Sequence, residues 1–372
     1  MTKSIISAKN DVVYGRQIAL AAAFLLPASK LLEAPSILAK YAGGDLILPA
    51  LMHFLLQAGV LAVLVFLSSR SEKTIFQRLE EVLGKGVIVV YLLYALYFLF
   101  AAILPLLDME KYVYAVFFDT SPTSFSFVFF FPLSAFICVK GIKSLGRAAD
   151  ICLFLFPLSI WALMAMTFSE VDFTRLLPLF DGKLGATMYA FKRTTPHFSD
   201  AILLLPLLGN YRYQKRDGWK IMTGYGVGAL LSLFFLAVFF GVYGALAPRE
   251  HYAFAKIAQY FPALSVIGRA DLLFVYLLSV VLLIFTCMPL LYATELFCRS
   301  FHITEKVLPS AVLHVGLFFL IFYCNKYYNG FYAVIGGRLP FLFWIFADIA
   351  PLLLLFLPTK QTSNEKKEKN YA

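Results

Sequence analysis

Charge is what this sequence has least of. Only 15% of its 372 residues are Asp, Glu, Lys or Arg, against about a quarter in a soluble domain, so an ordinary water-soluble globule is excluded. Disulfide and metal frameworks are missing too. The five cysteines, Cys138, Cys152, Cys287, Cys298 and Cys324, form no C-x-x-C pair and lie in or beside apolar runs. They read as small buried apolar side chains. Catalytic signatures are absent: there is no Walker A loop, no HExxH, no GxSxG, and His197 and Asp200 are three residues apart, not the spacing of an H-x4-D acyltransferase. No enzyme, cofactor or metal site is expected. Ten-residue segments of strand-like alternation are missing, which argues against a β-barrel. The N-terminal MTKSIISAKNDVVYGRQ is polar and no early apolar stretch with a small-residue cleavage site follows it, so no cleavable signal is expected.

What is there is apolar sequence, 61% of the chain, in many separate runs of 18 residues or more. Each such run is a transmembrane helix candidate, and helices satisfy their own backbone in lipid. The pattern predicts an all-α integral membrane protein. The first span starts near Arg16 and runs QIALAAAFLLPASKLLEAPSILAKYA. Further spans are expected at about 46–67, 86–107, 124–139, 148–168, 219–246, 272–297, 307–324 and 339–357. Ile75, Phe76, Leu79, Val82 and Leu83 share one helical face, with charges on the other, which reads as a short amphipathic helix at the cytoplasmic interface. Phe254, Ile257, Ala258 and Phe261 make an apolar stripe ended by Pro262, a short helical lid on the outer face, and Arg269 and Asp271 beside it read as an ion pair at the outer rim.

Residues 189–206, YAFKRTTPHFSDAILLLP, decide the topology. The apolar stretches 184–191 and 201–208 are each too short to cross, since a span needs about 20 residues. Together with the polar middle they suffice for one crossing. If 184–208 crosses, cytoplasmic segments carry 20 Lys and Arg and outer segments 8; if it is a loop, the totals become 15 and 15. Orientation follows this asymmetry, so the crossing is favoured. The result is ten spans with both termini inside: a cytoplasmic segment at 1–15, a transmembrane domain at 16–358 and a polar tail at 359–372. The net charge of +10 is then the positive-inside bias and not a nucleic-acid surface.

Two spans are interrupted by polar residues, at 25–30 in span 1 and 191–200 in span 6. Irregular backbone at membrane depth is tolerated only where it is buried in protein or lines a cavity. Ten spans divide as five plus five, about 16–168 and 184–358, each half opening with a broken helix, and odd repeats insert with opposite topology. This is the organisation of inverted-repeat transporters, which bind substrate at the breaks. Pro27, Ala28, Ser29, Lys30, Phe191, Thr194, Thr195, Pro196, Ser199 and Asp200 are therefore candidate ligand-binding residues, and Lys30, Glu33 and Asp200 candidate coupling residues. Half-helix N-termini suit a carboxylate and half-helix C-termini an ammonium group, so a zwitterionic amino acid fits both. Lys30 can stand in for a sodium ion or shuttle a proton, or pair with Glu33 one turn away. Asp200 can partner Lys192, Arg193 or a ligand amine, or cap the second half-helix. Tyr91, Tyr94, Tyr97 and Tyr276 can line the site or serve packing. Substitution of Lys30, or of Thr194 and Thr195, is expected to weaken ligand response without loss of folding.

The ten-span plan with broken spans 1 and 6 resembles the amino acid–polyamine–organocation superfamily, with its LeuT-type fold. More narrowly, KGIKSLGRAADI (140–151), DFTRLLPLFDGKLGATMYAF (172–191), FSDAILLLPLL (198–208) and GRADLLFVYLLSVVLLIF (268–285) resemble the B subunit of spore germinant receptors. The chain departs from that pattern in carrying Asp200 where many relatives have Glu, and in its basic insert KRTTPH. The resemblance implies a germinant-sensing subunit in the inner membrane of a spore. It would bind a small nutrient such as an amino acid, act with an A subunit and a lipoprotein C subunit, and promote ion release. The alternative is a proton-coupled amino-acid permease of the same superfamily.

Overall fold

The computed structural model describes residues 13–70, 73–117, 127–177, 184–259, 271–337 and 339–356. Every regular element among them is helical, apart from one isolated parallel bridge between Val13 and Tyr211. The chain opens with α1 (Gly15–Leu20), which runs into a π turn (Ala21–Leu25) and a 3-10 turn (Pro27–Leu31), and resumes as α2 (Ala34–Ala42). Then come α3 (Ile47–Ser69), α4 (Ile75–Leu83), α5 (Val87–Phe117), α6 (Phe130–Lys140) and α7 (Ile142–Thr167). The second half opens with another broken pair, α8 (Leu184–Thr194) and α9 (Asp200–Gly209), followed by α10 (Asp217–Tyr243), α11 (Ala253–Gln259), α12 (Asp271–Ser300) and α13 (Val307–Lys326). A helix absent from the sequence reading, α14 (Tyr328–Gly337), precedes the last apolar helix, which starts at α15 (Pro340–Phe343) and continues through a π turn (Trp344–Ile349) to Phe356.

Six helices among the described residues are long and apolar enough to cross a membrane, and Phe130–Lys140 and Pro340–Phe356 are shorter apolar helices at the places of the fourth and tenth spans. The first and sixth spans are the two interrupted ones. This is the LeuT-type plan. Leu55, Phe129, Trp161 and Leu308 are 65–75% exposed; in water such a surface would be an aggregation hazard, and here it faces lipid. Polar residues turn the other way: Lys30, His53, Gln57, Asp200 and Asp348 are all buried.

Several boundaries move for physical reasons. Gly141, at φ +77°, turns the chain between α6 and α7, so KGIKSLGR is mostly the start of α7 and not a linker. α5 runs past Pro105 to Phe117, its C-terminal part held by Tyr112 Oη, 3.1 Å from Ser279 Oγ on α12. α4 is capped by a reciprocal pair, in which the Gln77 amide donates to Thr74 Oγ1 at 3.3 Å and the Thr74 amide to Gln77 Oε1 at 3.0 Å. Its face is narrower than expected: Ile75, Phe76 and Leu79 are buried, but Val82 and Leu83, in the last turn, are 38% and 40% exposed. Phe254, Ile257 and Ala258 of the lid helix α11 are buried. Arg269 and its expected pairing with Asp271, Phe261, Pro262, the first residues of span 4 and the tail lie outside the described residues. All five cysteines are free and buried.

A close helix contact flanks the first break. A Cβ on Gly224 of α10 would sit 2.5 Å from the Ala19 carbonyl oxygen, and one on Gly228 would sit 2.6 Å from the Ala22 oxygen and 2.7 Å from Pro27 Cγ. These small residues four apart bring the α10 backbone against α1 and its π turn.

Candidate functional site

The breaks form where proline removes backbone donors. Pro27 has no N–H to continue the ladder, and the Leu26 amide reaches back five residues to the Ala21 carbonyl at 3.0 Å, a π turn. The path is lost at Leu32 (φ −93°, ψ −101°), and Pro35 lies in the first turn of α2. In the sixth span α8 tightens into a 3-10 turn, Thr195–His197, around Pro196; Phe198 and Ser199 are non-helical and α9 restarts at Asp200.

One ion pair joins the two breaks. Lys30 Nζ donates to Asp200 Oδ1, with both side chains 2% exposed. The same ammonium donates to the Leu26 carbonyl at 3.2 Å and to Ser29 Oγ at 3.3 Å, so all three of its N–H groups are used. The other carboxylate oxygen accepts from Tyr225 Oη at 3.2 Å. Asp200 occupies the first turn of α9, where a negative charge is favoured by the helix dipole. Lys30 thus pairs across the fold and not with Glu33. The Glu33 carboxylate lies 2.9 Å from His251 Nδ1 in the segment before the lid helix. Lys192 and Arg193 are not the partners of Asp200 either. Arg193 bonds Tyr189 Oη at 2.6 and 2.9 Å and stands over the Tyr41 and Tyr189 rings, while Lys192 is exposed.

Neighbouring helices hold the second break from both sides. His53 on α3 is stacked between Phe191 and Phe198, with ring centroids 4.0 and 4.7 Å away. Its Nε2 lies 2.9 Å from the Phe191 carbonyl and 3.1 Å from Thr194 Oγ1. One turn on, Gln57 Oε1 accepts from the Ala201 amide at 2.9 Å, and Gln57 Nε2 donates to Asp348 Oδ1 at 2.6 Å in the last π turn. Trp344 Nε1, on the same π turn, donates to Thr195 Oγ1 at 3.2 Å. His53, Gln57, Tyr225, Trp344 and Asp348 are absent from the sequence-based site. Their common signal is a polar group inside an apolar span, which lipid does not tolerate without a role.

A cavity of about 50 Å³ opens beside the ion pair, room for roughly three or four water-sized groups. Ser29 and Leu32 from the first break and Pro196, His197 and Ser199 from the second form one wall, and α5 with Asp108, the start of α9, α12 and Phe343 complete it. Of the expected residues, Ser29, Pro196 and Ser199 reach this space. Lys30 and Asp200 stand directly behind the two serines. Pro27 and Ala28 pack inward against α10 and the core. Phe191 lies in the His53 stack, and the Thr194 and Thr195 hydroxyls satisfy the Ala190 and Phe191 carbonyls at 2.8 and 3.1 Å. Tyr97 also lines the cavity; its buried hydroxyl lies near Ser199 but makes no hydrogen bond of good geometry among the described residues. Tyr94 instead supports the last π turn through the Phe346 carbonyl at 3.4 Å, Tyr91 bonds Glu80 at 3.0 Å, and Tyr276 is 60% exposed. Among the described residues no group of three or more His, Cys, Asp or Glu is placed to hold a metal ion.

Two crystal structures of point mutants of the Eremococcus coleocola manganese transporter share this fold. One aligns at TM-score 0.59 and 13% identity over 91% of this chain and 78% of that chain, and the other at TM-score 0.58 and 13% identity over 91% and 77%. At that identity the likeness is one of fold, and manganese is a property of that neighbour. A search of curated proteins found no match. The family model described as spore germination protein matches residues 18–331. With the interrupted helices and the multi-pass helical bundle that match spans, the chain belongs to the spore germination protein family.

Proposed function

We propose that this chain is a nutrient-sensing membrane subunit that binds a small amino-acid-like ligand at the broken helices and triggers spore germination with an A subunit and a lipoprotein C subunit. Both termini are cytoplasmic, and residues 16–168 and 184–358 form the two inverted repeats. The observation that carries the reading is the cavity walled by both breaks, with the Lys30–Asp200 pair immediately behind it. A zwitterion is the ligand that this arrangement suits. Its carboxylate competes for Lys30 and its ammonium for Asp200, so one internal ion pair is exchanged for two ligand contacts. The exchange separates the two breaks, and a ligand with different affinity for the joined and separated states shifts the population between them. The cavity's small volume favours a small side chain.

The alternative, a proton-coupled permease, rests on the transporter fold shared with the manganese transporter. Amino-acid binding and flux, measured on one proteoliposome preparation with and without a proton gradient, separate the two. Saturable binding without gradient-driven accumulation supports the sensing subunit, and accumulation makes the chain a permease. Absence of both, with the A and C subunits co-reconstituted, overturns both readings.

Tyr97→Phe is the most selective probe of the cavity. The buried hydroxyl makes no well-formed hydrogen bond among the described residues, so its removal leaves stability nearly unchanged. If the ligand supplies the partner, dissociation constants rise about 3- to 10-fold, the worth of one neutral hydrogen bond. Titration of binding, with unfolding measured on the same sample, checks both halves of this expectation.

A further inference from the structure

The lid is fastened to the first break at two adjacent points. The Ala253 amide donates to the Leu32 carbonyl at 3.1 Å, where the first span has lost its helical path. His251 Nδ1 lies 2.9 Å from Glu33 Oε2, and the two side chains differ sharply in exposure, 64% for His251 and 5% for Glu33. Between them sits Tyr252 at φ +56°, a backbone conformation that a bulky aromatic residue rarely adopts. Its ring meets Tyr112 of α5 at 5.7 Å. The strained residue is thus held by the contacts on either side of it. Leu32 also lines the cavity, so the fastening lies at the cavity's edge.

We propose that His251, Tyr252 and Ala253 form a proton-controlled latch, closed on the Glu33–Leu32 break when His251 is charged and released when it is neutral, so that external pH sets access to the cavity. The charged groups around His251 are Glu33 and Lys40 from the first span and Glu250 beside it in the chain, with Tyr252 and, behind it, Asp108 and Tyr112 of α5. Glu33 dominates. A charged imidazole supplies the counter-charge, in direct contact, to a carboxylate that is itself buried. Consistently, the hydrogen bond to Glu33 raises the His251 pKa above its ordinary value of about 6.5. A group whose pKa is raised in the closed state holds that state fully below its undocked pKa. The hold is lost as pH climbs through the raised value. Strain at Tyr252 then favours opening.

The inference concerns access and not ligand identity, so it survives failure of the proposed ligand class and is tested without ligand. Spin labels at Gln259→Cys on the lid and Glu170→Cys at the end of α7, both exposed, give a distance in the full chain in lipid nanodiscs. A single short distance is expected at pH 6 and a longer or broader distribution at pH 8.5. His251→Gln and Glu33→Gln should each show the pH 8.5 distribution at pH 6. Tyr252→Gly relieves the strain and should move the opening transition to higher pH, which keeps the test decisive if a latch variant folds poorly. Identical distributions at both pH values in the parent, or a pH response that persists in His251→Gln, overturn the proposal.

Discussion

Lys30→Ala is expected to destabilise the folded protein by about 3–5 kcal/mol, the cost of leaving a buried carboxylate without its counter-ion. The sequence reading expects the opposite, a loss of response with folding intact, because it places Lys30 beside a ligand or beside Glu33. The geometry replaces that expectation. Both partners are 2% exposed, and among the described residues Asp200 would retain only the Tyr225 hydroxyl. The pair need not be a net source of stability, since desolvation offsets much of the attraction. Hence Lys30→Met with Asp200→Leu should recover most of what Lys30→Ala loses, because neither residue is then a stranded charge. Reversible unfolding in mixed micelles, compared across the parent, both single variants and the double, reads this directly. A Lys30→Ala protein as stable as the parent would show that the ammonium is not committed to Asp200. Ligand response should be lost in the double variant even where stability returns.

Gly228 carries the second large effect. Its missing Cβ leaves room for the Ala22 carbonyl oxygen and Pro27, which would otherwise be 2.6 and 2.7 Å away. The obstacles are backbone and a ring, so neither can swing aside. Gly228→Ala should cost about 1–3 kcal/mol, the usual range for overpacking, and Gly228→Val more, with loss of a monodisperse folded species. Gly226, two residues earlier on the same helix, has open space where a Cβ would sit, with no neighbouring atom within 4 Å. Gly226→Ala should therefore be neutral or slightly stabilising, by up to about 1 kcal/mol from helix propensity. Equal effects at Gly226 and Gly228 would mean that helix propensity, and not the contact with the first span, governs this helix.

Much of the architecture was legible because lipid makes sequence rules strict. Runs of apolar residues locate the long helices, and the Lys and Arg distribution argues that 184–208 crosses. Pro27, Pro35 and Pro196 mark the breaks themselves. The site was only partly legible. A broken segment identifies which stretch of chain is irregular, but not which side chains face the cavity. Ser29 and Ser199 face it, while Ala28 and Thr194 are turned to the interior. Thr194 and Thr195 look like ligand donors in the sequence, yet their hydroxyls bond back to carbonyls in the last turns of α8. The partner of Lys30 is 170 residues away, a distance that no local pattern spans; Glu33, the near candidate, points to the lid. His53 and Gln57 were visible as polar residues four apart in an apolar run. What they hold, the two sides of the second break, depends on how α3 lies beside α8 and α9.

The cancellation of charge between Lys30 and Asp200 also has an electrical meaning. Moving one elementary charge through the membrane field changes its energy by about 2.3 kcal/mol per 100 mV. A neutral pair, Lys30–Asp200, exchanged against a zwitterion that also sums to zero displaces almost no net charge when the site fills. On the proposed reading, occupancy should then be set by ligand concentration and hardly at all by transmembrane voltage, so the chain would respond equally well in an energised membrane and in one with no potential across it.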